Sequence, residues 1–216
     1  MRRDEDYILP DGNIVRHDHH ERVAHWSIAI AFIFLFLSGL ALFSPFFFWL
    51  SALFGGGQFM RLLHPFAGVL LILLFYPYAW GLRKDNRWTP SDAQWVENSV
   101  AYMKKRIEFH DTGKYNAGQK LMYWSMVPII AVLFLTGITM WQPWFANSFP
   151  APLRRVTSLL HAVAAFVMFI GIGIHWYAAY WTRGSIRAMV RGTVTKTWAR
   201  YHHPAWFREI TGGKDR

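Results

Sequence analysis

Residues 156–182 read VTSLLHAVAAFVMFIGIGIHWYAAYWT, with no Asp, Glu, Lys or Arg and with two histidines, His161 and His175. A helix needs about 20 apolar residues to cross the ~30 Å hydrocarbon layer of a bilayer, so this stretch is long enough to span one. Along a helix the two histidines are separated by about 21 Å of rise and only about 40° of net rotation. They face one way, near opposite surfaces of the membrane. Ionisable side chains at that depth are rare and mark functional positions.

Three more uncharged stretches have spanning length, at residues 26–50, 62–82 and 121–141. The hydrophobic content of 53%, with 12 Trp and 18 Phe among 216 residues, puts the chain in the membrane class. Backbone groups in lipid must be hydrogen-bonded within their own segment. The expectation is therefore an all-α integral membrane four-helix bundle, one transmembrane domain across residues 1–216. The polar opening, Met1-Arg-Arg-Asp-Glu-Asp6, has no apolar core of its own. The first span is too long for a cleaved signal and has no small-residue cleavage site.

The formal charge of +10 orients the bundle. All but three of the 23 Lys and Arg residues lie before the first span, between spans two and three, or after span four; Arg61, Arg154 and Arg155 are the exceptions. Positive residues collect on the cytoplasmic side. Both termini, the 83–120 loop and the 183–216 tail are expected there, in a multi-pass protein of a bacterial inner membrane. This distribution accounts for the charge by membrane orientation and acidic headgroups. It leaves no role for a nucleic-acid partner.

With that orientation, His25 in span one and His175 share the inner depth, and His64 in span two and His161 share the outer one. Charges set the orientation and histidines set the pairing, so the agreement is independent. Neutral imidazole is a good iron ligand that can be buried without charge. Two opposed imidazoles fill both axial positions of a haem iron and leave it only electron transfer. The pattern points to two b-type haems, one held by His64 and His161 and one by His25 and His175. With no Cys in the chain, both must be bound non-covalently. A lone histidine on an apolar face would instead read as a structural hydrogen bond. Gly68, Ala164, Ala165, Gly171 and Gly173 near these histidines leave room for a porphyrin, although small residues also serve plain helix packing; packing is the expected role of Gly39 and Gly137.

A short internal echo accompanies the pairing. Phe36-Leu-Ser-Gly-Leu40 resembles Phe134-Leu-Thr-Gly-Ile138, an offset of 98 residues, and Leu62-Leu-His64 resembles Leu159-Leu-His161, an offset of 97. Two helical hairpins repeated about an axis along the membrane normal would produce it, and so would chance.

Two amphipathic cytoplasmic helices are expected, one starting at Thr89 and Pro90 and running to about Phe109, the other over residues 184–200. Each suits either the membrane interface or docking to a soluble subunit. His17, His19, His20, His110, His202 and His203 lie in polar surroundings and read as solvated, with His17, His19 and His20 also resembling a metal-binding tract. In Gly113-Lys-Tyr-Asn-Ala-Gly-Gln-Lys120, Asn116 and Gln119 are three apart and face one way on a helical turn. Amides at that spacing suit a quinone carbonyl, a chain of ordered water, or a helix cap.

These motifs, together with Leu63-His-Pro-Phe66 and His202-His-Pro-Ala-Trp-Phe-Arg-Glu-Ile210, resemble the cytochrome b (gamma) subunit of bacterial respiratory formate dehydrogenase over nearly the whole chain. Roughly residues 1–15 are unmatched. The resemblance implies two b haems, an iron–sulfur (beta) subunit and a molybdenum or tungsten catalytic (alpha) subunit. It implies electron flow across the membrane to a quinone, menaquinone or ubiquinone, in anaerobic respiration. His64 and His161 match the outer haem ligands, His25 and His175 the inner ones. Asn116 and Gln119 match the quinone-site residues, with His175 alongside. Cytoplasmic protons would be taken up near His110, Asp111 and Asn116. Two other readings stay open: the cytochrome b subunit of a nickel–iron hydrogenase or another quinone-linked oxidoreductase, and a haem-free anchor or proton-relaying transporter.

Overall fold

A computed structural model describes residues 8–104 and 111–212. In chain order the helices are α1 (His19–Phe43), α2 (Gly57–Leu82), α3 (Pro90–Glu97), α4 (Ser99–Met103), α5 (Ala117–Met140), α6 (Ala151–Trp181), α7 (Ser185–Arg191), α8 (Lys196–His202) and α9 (Pro204–Thr211). The described strands are β1 (Ile14–Val15) and β2 (Thr193–Val194). The all-α expectation holds, and α1, α2, α5 and α6 are each long and apolar enough to cross a membrane.

Boundaries differ from the uncharged stretches in an instructive way. The first span was expected to reach residue 50, but α1 stops at Phe43 and the chain winds through 3-10 turns from Pro45 to Phe54. Pro45 is the cause, because a residue before proline is pushed out of the helical region; Ser44 is extended, at φ −137° and ψ 133°. The other three spans begin before the expected positions, through Arg61, Lys120 and the Arg154–Arg155 pair. Charges locate the edge of the hydrocarbon, whereas the helical backbone continues into the interface.

Two compact units divide the chain. The first joins Val23–Trp80 and Ser125–His175 and holds most of all four spans. Phe36 of α1 stacks on Phe169 of α6 with ring centres 4.7 Å apart, a pairing worth about 1 kcal/mol beyond its buried area. Tyr76 of α2 donates a hydrogen bond to the Val127 carbonyl of α5. Thr139 of α5 meets Thr157 of α6, oxygen to oxygen at 2.6 Å. Gly171 is where α6 comes close to Met126 of α5. Ile30, Leu73, Leu135 and Ile174 point outward, each more than 60% exposed. In water each such side chain would forgo about 1.5–3 kcal/mol of burial; in lipid it forgoes nothing. The chain is a membrane protein.

The second unit joins Met1–Arg22, Gly81–Trp124 and Trp176–Arg216. Its centre is an apolar cluster of Ile14, Ala188, Val194, Ala199, Trp206 and Phe207. Strands β1 and β2 pair antiparallel, Ile14 with Val194 and Val15 with Thr193. The backbone amides of Arg16 and His17 continue the contact onto the Gly192 carbonyl. Gly192 has φ 84°, and a Cβ there would lie 2.7 Å from the His17 carbonyl oxygen, so no larger residue fits. This glycine also ends α7. The single amphipathic helix expected over residues 184–200 is thus two short helices either side of β2.

The other expected cytoplasmic helix is also divided. Thr89 and Asp92 form a reciprocal capping box that starts α3, and Asn98 separates α3 from α4. The remainder of that stretch, to Phe109, lies outside the described residues. Lys120 at the foot of α5 reaches Asp92 at 2.7 Å, with both side chains 6% exposed. This buried ion pair ties the start of α3 to the start of α5.

Candidate functional site

Three of the spans, α1, α2 and α6, bring four histidines into two pairs within the first unit. The His64 ring of α2 and the His161 ring of α6 have centres 6.4 Å apart and planes at 62°. The His25 ring of α1 and the His175 ring of α6 are also 6.4 Å apart, with planes at 48°. An imidazole nitrogen lies about 1.1 Å from its ring centre and about 2 Å from a metal it ligates. Two collinear rings on one iron would therefore have centres roughly 6.3 Å apart, so both pairs fit that separation. Among the described residues no three His, Cys, Asp or Glu side chains converge as a metal site. The pairs suit a metal whose other bonds come from a macrocycle.

The local sequence explains how one pair is aimed. Ser38 of α1 is fully buried; its hydroxyl donates to the Phe34 carbonyl at 2.7 Å, the back-bonding common to serine in helices. The same oxygen lies 2.7 Å from His64 Nδ1. Thr136 of α5 repeats the pattern, donating to the Val132 carbonyl at 2.6 Å with His161 Nδ1 at 2.9 Å. Gly39 and Gly137, the next residues along, lie against the rings: a Cβ on either would stand 3.6 Å from Cε1 of His64 or His161. The expected packing role of these glycines is packing against the histidines themselves. Ser38 and Thr136 were missed as site residues. The signal for them was the echo of Phe-Leu-Ser-Gly-Leu in Phe-Leu-Thr-Gly-Ile.

Asn116 and Gln119 lie in the second unit, and each amide oxygen has a backbone partner. The Asn116 backbone N–H donates to Gln119 Oε1 at 3.0 Å, and the Gln119 backbone N–H donates to Asn116 Oδ1 at 2.9 Å. This is a reciprocal cap on the first turn of α5. What each side chain retains for a ligand is its NH2 group, a donor set. Trp95 packs over Gly118 between them, with its ring 3.2 Å from where a Cβ would be.

The loop before Asn116 is braced from both ends of the chain. Arg16 Nη2 donates to the Lys114 carbonyl at 2.7 Å and approaches His203 Nε2 at 3.0 Å. His203 Nδ1 lies 2.7 Å from the Gly113 carbonyl; a carbonyl only accepts, so Nδ1 carries the proton and Nε2 accepts from Arg16. The Arg16 guanidinium also lies over Trp198 and Trp206, at 5.0 and 5.1 Å. Burial lowers Arg16 to about 10, which still leaves it charged at neutral pH. Burial, reinforced by Arg16, holds His203 well below the ordinary histidine range.

The expectation that the polar-segment histidines are solvated is therefore corrected for two of them. His203 and His17 are buried, at 3% and 7% exposure, because each has a polar partner; His17 Nδ1 pairs with Glu21 at 3.2 Å. His19 and His20 are exposed. His110 lies outside the described residues, and Asp111 is exposed and paired with Arg208 at 3.0 Å.

Fold and side chains together define a polytopic α-helical membrane protein with two opposed imidazole pairs among its spans. The chain belongs to the prokaryotic cytochrome b561 family, which it matches over residues 16–192, and so to the b-type cytochromes. It is 41% identical over 202 residues to the nitrate-inducible formate dehydrogenase cytochrome b556(Fdn) subunit of Escherichia coli, covering 91% of each chain. To the formate dehydrogenase cytochrome b556(fdo) subunit of the same organism it is 40% identical, over 91% of this chain and 93% of the relative. To the formate dehydrogenase cytochrome b556 subunit of Haemophilus influenzae it is 38% identical, over 94% and 85%. The resemblance expected from the motifs holds.

Proposed function

We propose that this chain is the membrane cytochrome b subunit of a formate dehydrogenase, in which His64 and His161 would hold one b haem and His25 and His175 a second. The observation that carries the reading is the equal 6.4 Å separation of the two imidazole pairs, both matching a shared iron. Two haems so held supply one-electron transfer at two membrane depths. The names of the relatives favour formate over hydrogen as the source of electrons. An iron–sulfur beta subunit and a molybdenum or tungsten alpha subunit are the partners.

The four ligands bind neutral, so no charge is buried in lipid by the apoprotein. The distribution of Lys and Arg supports cytoplasmic termini in an inner membrane. That orientation puts the Asn116 and Gln119 amides on the cytoplasmic side. There their N–H groups donate to a quinone carbonyl, which strengthens as an acceptor when the quinone gains electrons. Two electrons and two cytoplasmic protons complete the quinol. The cap of α5 holds both amides in place, so the first turn of the helix acts as the quinone-binding frame.

A reduced-minus-oxidised spectrum of the purified complex, with haem assayed per chain, tests the reading. Two b haems per polypeptide are expected. A protein that carries none, or a single haem untouched by any of the four histidine substitutions, would overturn it.

A further inference from the structure

Ser38 and Thr136 each have one proton, and each oxygen meets two carbonyls of its own helix and a histidine ring nitrogen. Ser38 Oγ stands 2.7 Å from the Phe34 carbonyl and 2.7 Å from His64 Nδ1. Thr136 Oγ1 stands 2.6 Å from the Val132 carbonyl and 2.9 Å from His161 Nδ1. A carbonyl oxygen cannot donate, and two oxygens at such distances repel unless a proton lies between them. Each hydroxyl proton therefore points to its own helix carbonyl. The hydroxyl oxygen is left to accept from the ring, so Nδ1–H is the tautomer on both histidines. Nε2 then carries the lone pair on both rings.

We propose that Ser38 and Thr136 are matched positioning residues for one haem, resting on the assignment of His64 and His161 as its ligands. Each accepts the Nδ1–H of the imidazole on the following helix. The contact fixes the tautomer, sets the plane of the ring and raises its basicity, as outer partners of metal-bound histidine do. The two halves of the chain supply the same device. Ser38 precedes His64 by 26 positions and Thr136 precedes His161 by 25, each hydroxyl one residue before a glycine that lies against the same ring. Both hydroxyl residues are buried, Ser38 at 0% and Thr136 at 7% exposure, so water does not substitute for them. A more basic imidazole favours ferric over ferrous iron. The hydroxyls thus lower the potential of the haem they serve.

The test uses the intact complex in membranes, with S38A, T136V, S38T and T136S compared by optical redox titration and by EPR of the ferric low-spin signals. S38A and T136V are expected to move the midpoint of the same single haem to more positive potential, to change that haem's EPR signal through relaxed ring planes, and to leave the other haem unmoved. The double variant moves it further, and S38T and T136S restore wild-type values. Loss of the one haem in S38A with recovery in S38T also supports the role. Unchanged midpoints and EPR signals in both apolar variants would overturn it, as would equal damage from S38A and S38T. The ligand assignment itself fails differently: H64A would then retain both haems whatever the hydroxyl variants do.

Discussion

Arg16 and His203 are 187 residues apart in the chain and 3.0 Å apart in space, and together they hold the carbonyls of Gly113 and Lys114. The N-terminal stretch and the C-terminal tail thus frame the loop that leads into Asn116. The two bonds from the charged Arg16 are worth about 1.5–3 kcal/mol each, and the neutral His203–Gly113 bond about 0.5–1.5 kcal/mol. Replacing Arg16 with Met should lower the melting temperature of the complex and expose the tail to limited proteolysis. Quinone turnover should fall with it, while the haem spectra stay unchanged. A variant with wild-type proteolysis would show that the brace is dispensable.

His203 also gives this unit a pH dependence of definite sign. Its folded value is depressed by burial and by Arg16. His202 is lowered to about 4 by burial and Arg16, and His17 is lowered mainly by burial. Below the ordinary value of 6.5 the unfolded chain binds protons that the folded unit refuses, so stability drops as pH falls from 6.5. Melting temperature measured from pH 7.5 to 5 should decline below 6.5. His203→Gln, which cannot protonate, should flatten part of that slope even if it is less stable throughout; an unaltered slope would remove His203 from the account.

The two candidate haems should separate by mutation. His64→Ala is expected to halve the haem content from two per chain to one, and His25→Ala to do the same with the other component of the spectrum. Pyridine haemochrome assay with low-temperature spectra reads both. If either substitution abolishes both haems while the protein stays in the membrane, the pairing of His64 with His161 and of His25 with His175 is not two independent sites.

Asn116 and Gln119 have a capping role and a proposed ligand role, and these can be pulled apart. Asn116→Asp and Gln119→Glu keep the oxygens that cap α5 but remove the NH2 donors. Stability should be unchanged, whereas quinone reduction should weaken by about tenfold for one lost hydrogen bond. Asn116→Ala should cost about 1 kcal/mol of stability in addition. Full quinone activity in Asn116→Asp and Gln119→Glu would leave these residues as caps alone.

The Lys120–Asp92 pair makes a further prediction. Either Lys120→Met or Asp92→Leu leaves an uncompensated buried charge and should cost about 3–5 kcal/mol, while the double substitution should recover most of it. Thermal denaturation of the three variants decides it; additive losses would mean that the pair is not coupled.

The sequence alone determined the membrane class, the four spans and the spacing of His161 and His175, because apolar length and helical periodicity are local properties. It overran the end of the first span only where Pro45, a local signal, was outweighed by hydrophobicity. The tertiary structure decided which hydroxyl meets which imidazole, that the Asn116 and Gln119 oxygens are used for the cap, and that His17 and His203 are buried. A polar residue such as His203 or Arg16 reads as solvated until its partner is known. That partner comes from a distant part of the chain, and no periodicity announces it.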